Sequence, residues 1–118
     1  MRADLRRVFA GELASARCAE SEDDAARAWL HLERAHVLSQ AYAWPHVRVH
    51  GRMLAFAWRR GDLRELVGQL PRLVLAAPGS WTGRAPRGNT GGADVGIFTP
   101  MDVPADLERL LRPARERR

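Results

Sequence analysis

A chain of 118 residues fits one domain, which at this size buries roughly two-thirds of the surface its unfolded form exposes. It holds 19 Arg, no Lys and a single cysteine, Cys18. Schiff-base chemistry, pyridoxal-phosphate catalysis and Walker-type phosphate loops all need an ε-amine and are excluded. One cysteine equally excludes an internal disulfide, an iron–sulfur cluster and a Cys-rich zinc site, so any metal must be held by histidines and carboxylates.

The formal charge of +5 is unevenly placed. Arg109 to Arg118 holds five Arg and one Glu, leaving 14 Arg against 13 acids in residues 1–108. A nearly neutral body with a basic tail (Arg112, Arg115, Arg117, Arg118) reads as a solvated terminus, and nucleic acid is not the expected partner. No apolar run is long enough to span a membrane and no leader pattern precedes the first helix. With its lone thiol, the chain is expected to be soluble and cytoplasmic.

Residues 2–17 place Leu5, Val8, Phe9 and Leu13 at helical spacing and predict helix one. The polar stretch 19–24 follows, where Ser21, Asp23 or Asp24 can cap a second helix running from about Asp24 to Gln40 through Trp29, Leu32, His36 and Val37. Pro45 disfavours a helical Trp44 but suits a first turn, so helix three starts there, turns Val47, His50, Met53, Leu54, Ala57 and Trp58 inward, and ends at a left-handed Gly61. Asp62 caps helix four, whose inward face is read as Leu63, Leu66, Val67, Leu70, Val74 and Leu75, with Pro71 kinking or shortening it.

Six of the ten glycines lie between residues 78 and 100, where helical periodicity vanishes. A loop of that length in a small domain is either disordered or functional. Trp81, Val95, Ile97 and Phe98 favour an ordered cap packed back on the helices. A short helix from Pro104 to Leu111 precedes the tail. The expected fold is all-α: a bundle of four to five helices, with hairpins resembling those of tetratricopeptide repeats around Arg59-Arg60-Gly61-Asp62-Leu63 and a long Gly-rich capping loop. Residues 1–111 form one domain and 112–118 the basic tail.

Glu33 and His36 share one face of helix two with Trp29 and Gln40, while His46 and His50 share one face of helix three. For antiparallel helices joined near Ala43, facing positions sum to about 86, which sets His36 beside His50, Gln40 beside His46 and Glu33 beside Met53. A Glu-x-x-His opposite a His-x-x-x-His gathers three imidazoles and a carboxylate, a donor set suited to zinc, copper, iron or nickel. A single histidine on an apolar face is more often a hydrogen-bonded core residue, and Arg34, Arg48 or Arg52 can pair with Glu33 instead. Four polar groups buried together without strong partners would cost about 1–3 kcal/mol each, which favours a metal.

His31 precedes His36 by five residues and diverges from it by roughly 140°, which leaves it outside the ligand set as an outer hydrogen-bonding group at most. The string His31-Leu32-Glu33-Arg34-Ala35-His36 is therefore not the His-Glu-x-x-His of metalloproteases, and no Pro-Cys-x-x-Cys follows to make a zinc deaminase. One Glu-x-x-His is too few for a di-iron carboxylate site. Gly88-Asn89-Thr90-Gly91-Gly92-Ala93-Asp94 has amides enough for an anion nest, yet with no lysine and no preceding strand it reads first as a turn. Closing over one end of the bundle, it would bring Asn89, Thr90 or Asp94 to a ligand or metal.

Leu32-Glu33-Arg34-Ala35-His36-Val37-Leu38-Ser39-Gln40, Pro45-His46-Val47-Arg48-Val49-His50, Ala57 to Asp62, and Gly88-Asn89-Thr90-Gly91-Gly92-Ala93 through Pro100-Met101 together resemble a family of short bacterial proteins catalogued as domain of unknown function 3703. The similarity covers most of residues 5–111. It implies a small helical cytoplasmic protein without an established activity. His36, His46, His50, Gln40 and the Gly-Asn-Thr-Gly-Gly loop are the parts that match its pattern.

The function expected from these residues is binding of one transition-metal ion (copper, zinc or iron) by His36, His46 and His50, with Glu33 as fourth ligand or proton-moving base. An open position would activate water or oxygen for a small-molecule substrate. The alternatives are a metal buffer or chaperone, and a non-enzymatic helical interaction module in which the histidines merely pack. Three aromatics that look exposed, Tyr42, Trp44 and Trp81, make a homodimer the candidate assembly.

Overall fold

The computed structural model describes residues 1–112; Arg115, Arg117 and Arg118 of the basic tail lie outside them. The described residues form five helices and no strand: α1 (Ala3–Ser21), α2 (Ala25–Ser39), α3 (Ala43–Arg60), α4 (Leu63–Thr82) and α5 (Ala105–Leu111). The chain is all-α, as its periodicity predicts. The hairpins α1–α2 and α3–α4 pack through α2 and α3, and α5 lies against α1 and α2.

The helix ends follow local chemistry. The Asp24 carboxylate accepts from the Arg27 amide at 3.1 Å and the Asp62 carboxylate from the Glu65 amide at 3.0 Å, each satisfying a first-turn donor. Gly61 closes α3 at φ +67°, a conformation a side chain would strain. Helix α1 runs on to Ser21, beyond the expected end at residue 17, because Asp23 itself takes the left-handed turn at φ +58°. Helix α3 begins at Ala43 and takes Pro45 into its first turn.

The core forms where α1, α2, α3 and α5 meet, around Leu5, Phe9, Leu13, Leu32, Leu38, Val49, Met53 and Leu107. Trp58, expected inside, is 73% exposed.

Helix α4 departs most from expectation. It continues through Pro71 and Pro78 to Thr82, so the loop begins at Gly83 and not at residue 78. Both prolines are on the exposed side, where the carbonyls they leave without an amide partner, those of Val67 and Val74, can be met by water. Most of the predicted inward stripe faces out: Leu63, Val67, Leu70 and Val74 are exposed, while Leu66 is half-buried and Leu75, 41% exposed, borders the cavity beside the histidines. The side turned inward is Gln69, Ala76 and Ala77, flanked by half-buried Leu66, Leu73 and Ser80. Residues 66, 69, 73, 76 and 80 follow an alternating three-four spacing of their own, a second seam that apolarity alone hides. Its small and polar members make room for the histidines of α3.

The capping segment lies against the helices, but with less burial than expected. Val95 and Ile97 are half-buried, Phe98 is 70% exposed, and Trp81 stands exposed on α4.

Candidate metal centre

Helix α2 supplies His36 and helix α3 supplies His46 and His50, one turn apart, and all three are buried. Their Nε2 atoms converge: His36 to His50 at 2.9 Å, His36 to His46 at 3.0 Å and His46 to His50 at 3.2 Å. His36 meets His50, as the pairing read from the sequence places it, and His46 as well.

Each opposite nitrogen faces an oxygen. His36 Nδ1 is 2.6 Å from the Asn89 carbonyl and His50 Nδ1 is 2.6 Å from Gln69 Oε1. His46 Nδ1 is 2.9 Å from Ser80 Oγ, whose own proton goes to the Gln40 carbonyl at 2.5 Å. Gln69 Nε2 donates to Glu65 Oε1 at 2.7 Å and to the Gly91 carbonyl at 2.8 Å, which fixes its Oε1 as an acceptor. All three Nδ1 atoms are therefore the N–H donors, assigned from their partners. The three Nε2 atoms carry lone pairs that point at one another with no proton between them.

Burial holds the imidazoles neutral. It drives the His46 and His50 pKa values down to about 4, against the opposing pull of the Ala76 carbonyl on His46 and of Gln69 on His50. His36 is pushed well below its ordinary value, first by burial and then by its two neighbours. Three neutral imidazoles with outward N–H groups anchored on acceptors are the protonation state in which histidine binds metal. Among the described residues, His36, His46 and His50 form a group able to hold an ion.

The glycine loop closes this centre. Gly91 sits at φ +85°, and a Cβ there would come within 2.5–2.7 Å of the His36 ring. Asn89 organises the loop by donating to the Gly96 and Thr99 carbonyls at 2.8 and 2.7 Å and accepting from the Gly91 amide at 2.8 Å. Glu65 accepts from the Ala93 amide at 3.0 Å. Beside the histidines lies a half-enclosed cavity of about 240 Å³, walled by α4 and the loop.

Compared with known families, the sequence matches the one described as "Protein of unknown function (DUF3703)" over residues 3–111. The chain belongs to this family. No curated protein and no solved structure matches it. In this DUF3703 member no helix among the described residues is long and apolar enough to cross a membrane.

The other predicted residues divide. Gln40 lines the cavity with the histidines, its Nε2 donating to the Pro86 carbonyl at 2.5 Å. Asn89 contributes its carbonyl to His36, as described. Glu33 is not in the ion-binding group. It is half-buried and its pKa is raised, first by burial and then by Asp94, with a Thr90 hydrogen bond opposing and Glu65 adding. Three residues before His36 places it one step round the helix, toward the loop. Thr90 thus hydrogen-bonds Glu33, and Asp94 acts on it through its charge. His31 faces away from the centre and pairs with Glu12 at 2.6 Å, while Arg34 joins Glu12 to Asp106 of α5.

Gln69, Ser80 and Glu65 are the functional residues that sequence reasoning missed. The available signal was a glutamine, fully buried as it turns out, on the small-residue seam of α4.

Proposed function

We propose that His36, His46 and His50 bind one transition-metal ion through Nε2, with a coordination position left open toward the cavity, and that the protein is a small metal-dependent enzyme. The carrying observation is the convergence of three lone pairs within 3.2 Å while every Nδ1 is committed to an oxygen. Neutral acceptors so placed repel one another, and low pKa values deny them a proton, so a cation is the partner that satisfies them. A tetrahedral ion with bonds of roughly 2.0–2.1 Å needs nitrogens about 3.3 Å apart, within a few tenths of an ångström of those found. Zinc or copper suits three imidazoles better than a carboxylate-rich iron pair does. A three-histidine ion with an open position lowers the pKa of bound water and polarises oxygen ligands. The chain's own part is to fix ring orientation through Asn89, Ser80 and Gln69 and to limit water through the loop.

Metal analysis of protein purified without a His tag tests this. About one ion per chain is expected, falling to near zero in the double variant His36→Ala/His50→Ala; equal content in both overturns the reading. A melt with and without EDTA gives an independent check, because an ion bound only by the folded chain raises Tm.

A further inference from the structure

The cavity beside the histidines carries charge of one sign only. Apolar side chains such as Leu75, Pro78, Ile97 and Phe98 line it together with Arg72 and Arg84, and among the described residues no Asp or Glu does. Most of its other polar side chains are spent on the protein. Thr82 Oγ1 donates to the Pro78 carbonyl at 2.8 Å, the Asn89 amide holds the loop, and Gln40 Oε1, though unpaired, is sealed from solvent. Arg72 is half-buried and donates to the Gly68 and Val95 carbonyls at 2.7 and 2.5 Å, so its charge rests on neutral acceptors. Arg84 follows the left-handed Gly83 that ends α4, and its amide is pinned to the Gly79 carbonyl at 2.9 Å. Its side chain is exposed and has no hydrogen-bond or ion-pair partner among the described residues, whereas Arg34, Arg59 and Arg87 each grip an acid. Two guanidinium groups without a counter-charge, on the wall of an otherwise apolar cavity, favour a ligand with one anionic end.

We infer that this cavity binds a small organic carboxylate with a compact apolar body, whose carboxylate pairs with Arg84 while its body lies against Leu75, Ile97 and Phe98. The planar guanidinium fork matches a carboxylate in a way that a point charge does not. Leu75 and Phe98, 41% and 70% exposed, lose apolar surface to water when the body settles on them. An apolar cavity of about 150 Å³ holds benzene, so 240 Å³ takes an aromatic ring or a short branched chain. An ammonium is disfavoured by both arginines, and a neutral analogue leaves Arg84 unanswered. The inference deepens the metal reading, on which it rests for any chemistry done to the bound molecule. The binding itself uses Arg84 and the apolar wall and needs no ion.

The test is calorimetric titration of benzoate, benzyl alcohol, benzylammonium and acetate into the full chain at pH 7 and low salt, after chelator treatment and dialysis, so that no ion holds the carboxylate. Benzoate is expected to bind at least about fivefold more tightly than benzyl alcohol and about tenfold more tightly than acetate, with benzylammonium weaker than benzyl alcohol. Arg84→Gln should cost benzoate at least about fivefold, leave benzyl alcohol within about twofold and keep the melt unchanged, because the side chain makes no bond within the described chain. Arg48→Gln, at an exposed arginine outside this wall, removes the same charge and should leave benzoate within about twofold. Equal affinity for benzoate and benzyl alcohol, equal affinity for benzoate and acetate, or an equal effect of the two arginine substitutions overturns the proposal. Metal content of the same preparation before chelation separates the two readings. A benzoate preference in protein purified without metal sinks the metal reading and leaves this one standing, and a bound ion without a benzoate preference does the reverse.

Discussion

His50 Nδ1 donates to Gln69 Oε1 across 2.6 Å, and the amide of the same glutamine holds Glu65 on one side and the Gly91 carbonyl on the other. One fully buried side chain on α4 thereby sets the tautomer of a histidine on α3 and the position of the loop above it. Gln69→Leu removes all three bonds and leaves buried donors and acceptors unpaired, at a cost of about 2–4 kcal/mol in chelator-treated protein. Metal affinity should fall roughly tenfold to a hundredfold through the loosened ring. Chemical denaturation with chelator and competition titration with metal read the two effects separately, and an unchanged midpoint would contradict the first.

Stability should depend on pH with a definite sign. His46 and His50 have folded pKa values of about 4 against an ordinary 6.5, so below pH 6.5 the unfolded chain takes up protons that the folded one refuses. Their contribution is intact above pH 6.5 and is lost as pH falls toward 4, by up to about 3 kcal/mol for each. His36 acts in the same direction, while the raised pKa of Glu33 opposes it in part. Melts of chelator-treated protein at pH 7.5, 6 and 5 should step downward; a flat series contradicts the burial of these rings.

The same low pKa values predict the pH profile of metal affinity. An ordinary three-histidine site competes with protons below pH 6.5, whereas this one is already neutral. Affinity measured at pH 7 and at pH 5.5 should agree within about threefold, where imidazoles with pKa 6.5 would lose roughly a thousandfold.

Gly91→Ala is expected to be severe for two reasons. Alanine is strained at φ +85°, and its Cβ would press into the His36 ring. A loss of at least about 2 kcal/mol, with weakened metal binding, should appear in the melt and in the competition titration. Gly61→Ala shares only the first reason, since nothing lies within 4 Å of its Cβ, and should cost about 1 kcal/mol with the site intact.

The outward stripe of α4 gives a contrasting expectation. Leu70→Glu and Val74→Glu alter residues that are 53% and 74% exposed, and the melt should shift by no more than about 0.5 kcal/mol. Met53→Ala, in a fully buried position, should cost about 2–5 kcal/mol.

These contrasts mark what local pattern carries. Caps at Asp24, Asp62 and Gly61 are decided by neighbouring backbone groups, and spacing along two adjacent helices was enough to bring His36, His46 and His50 together. Glu33 falls outside the three-histidine group and takes a hydrogen bond from Thr90 of the loop, because a shared helix face spans more than one neighbour. Helix α4 carries most of its apolar stripe on the outside, contrary to the rule that the most apolar face is the inner one. Its inner seam is set by what α3 presents, and three histidines call for Gln69, Ala76 and Ser80. The carbonyl of Asn89 is invisible to any side-chain pattern.

Trp44 and Trp81 lie edge to face, with ring centroids 5.9 Å apart and planes 87° apart. Each is exposed, and each flanks one half of a contact at the centre: Trp44 is two residues before His46, and Trp81 follows Ser80. The strong indole transitions of two rings this close couple, so the pair should give a split circular-dichroism band in the far ultraviolet. That band would vanish whenever the start of α3 and the end of α4 part, giving an intrinsic optical signal for the opening of the histidine site without any attached dye.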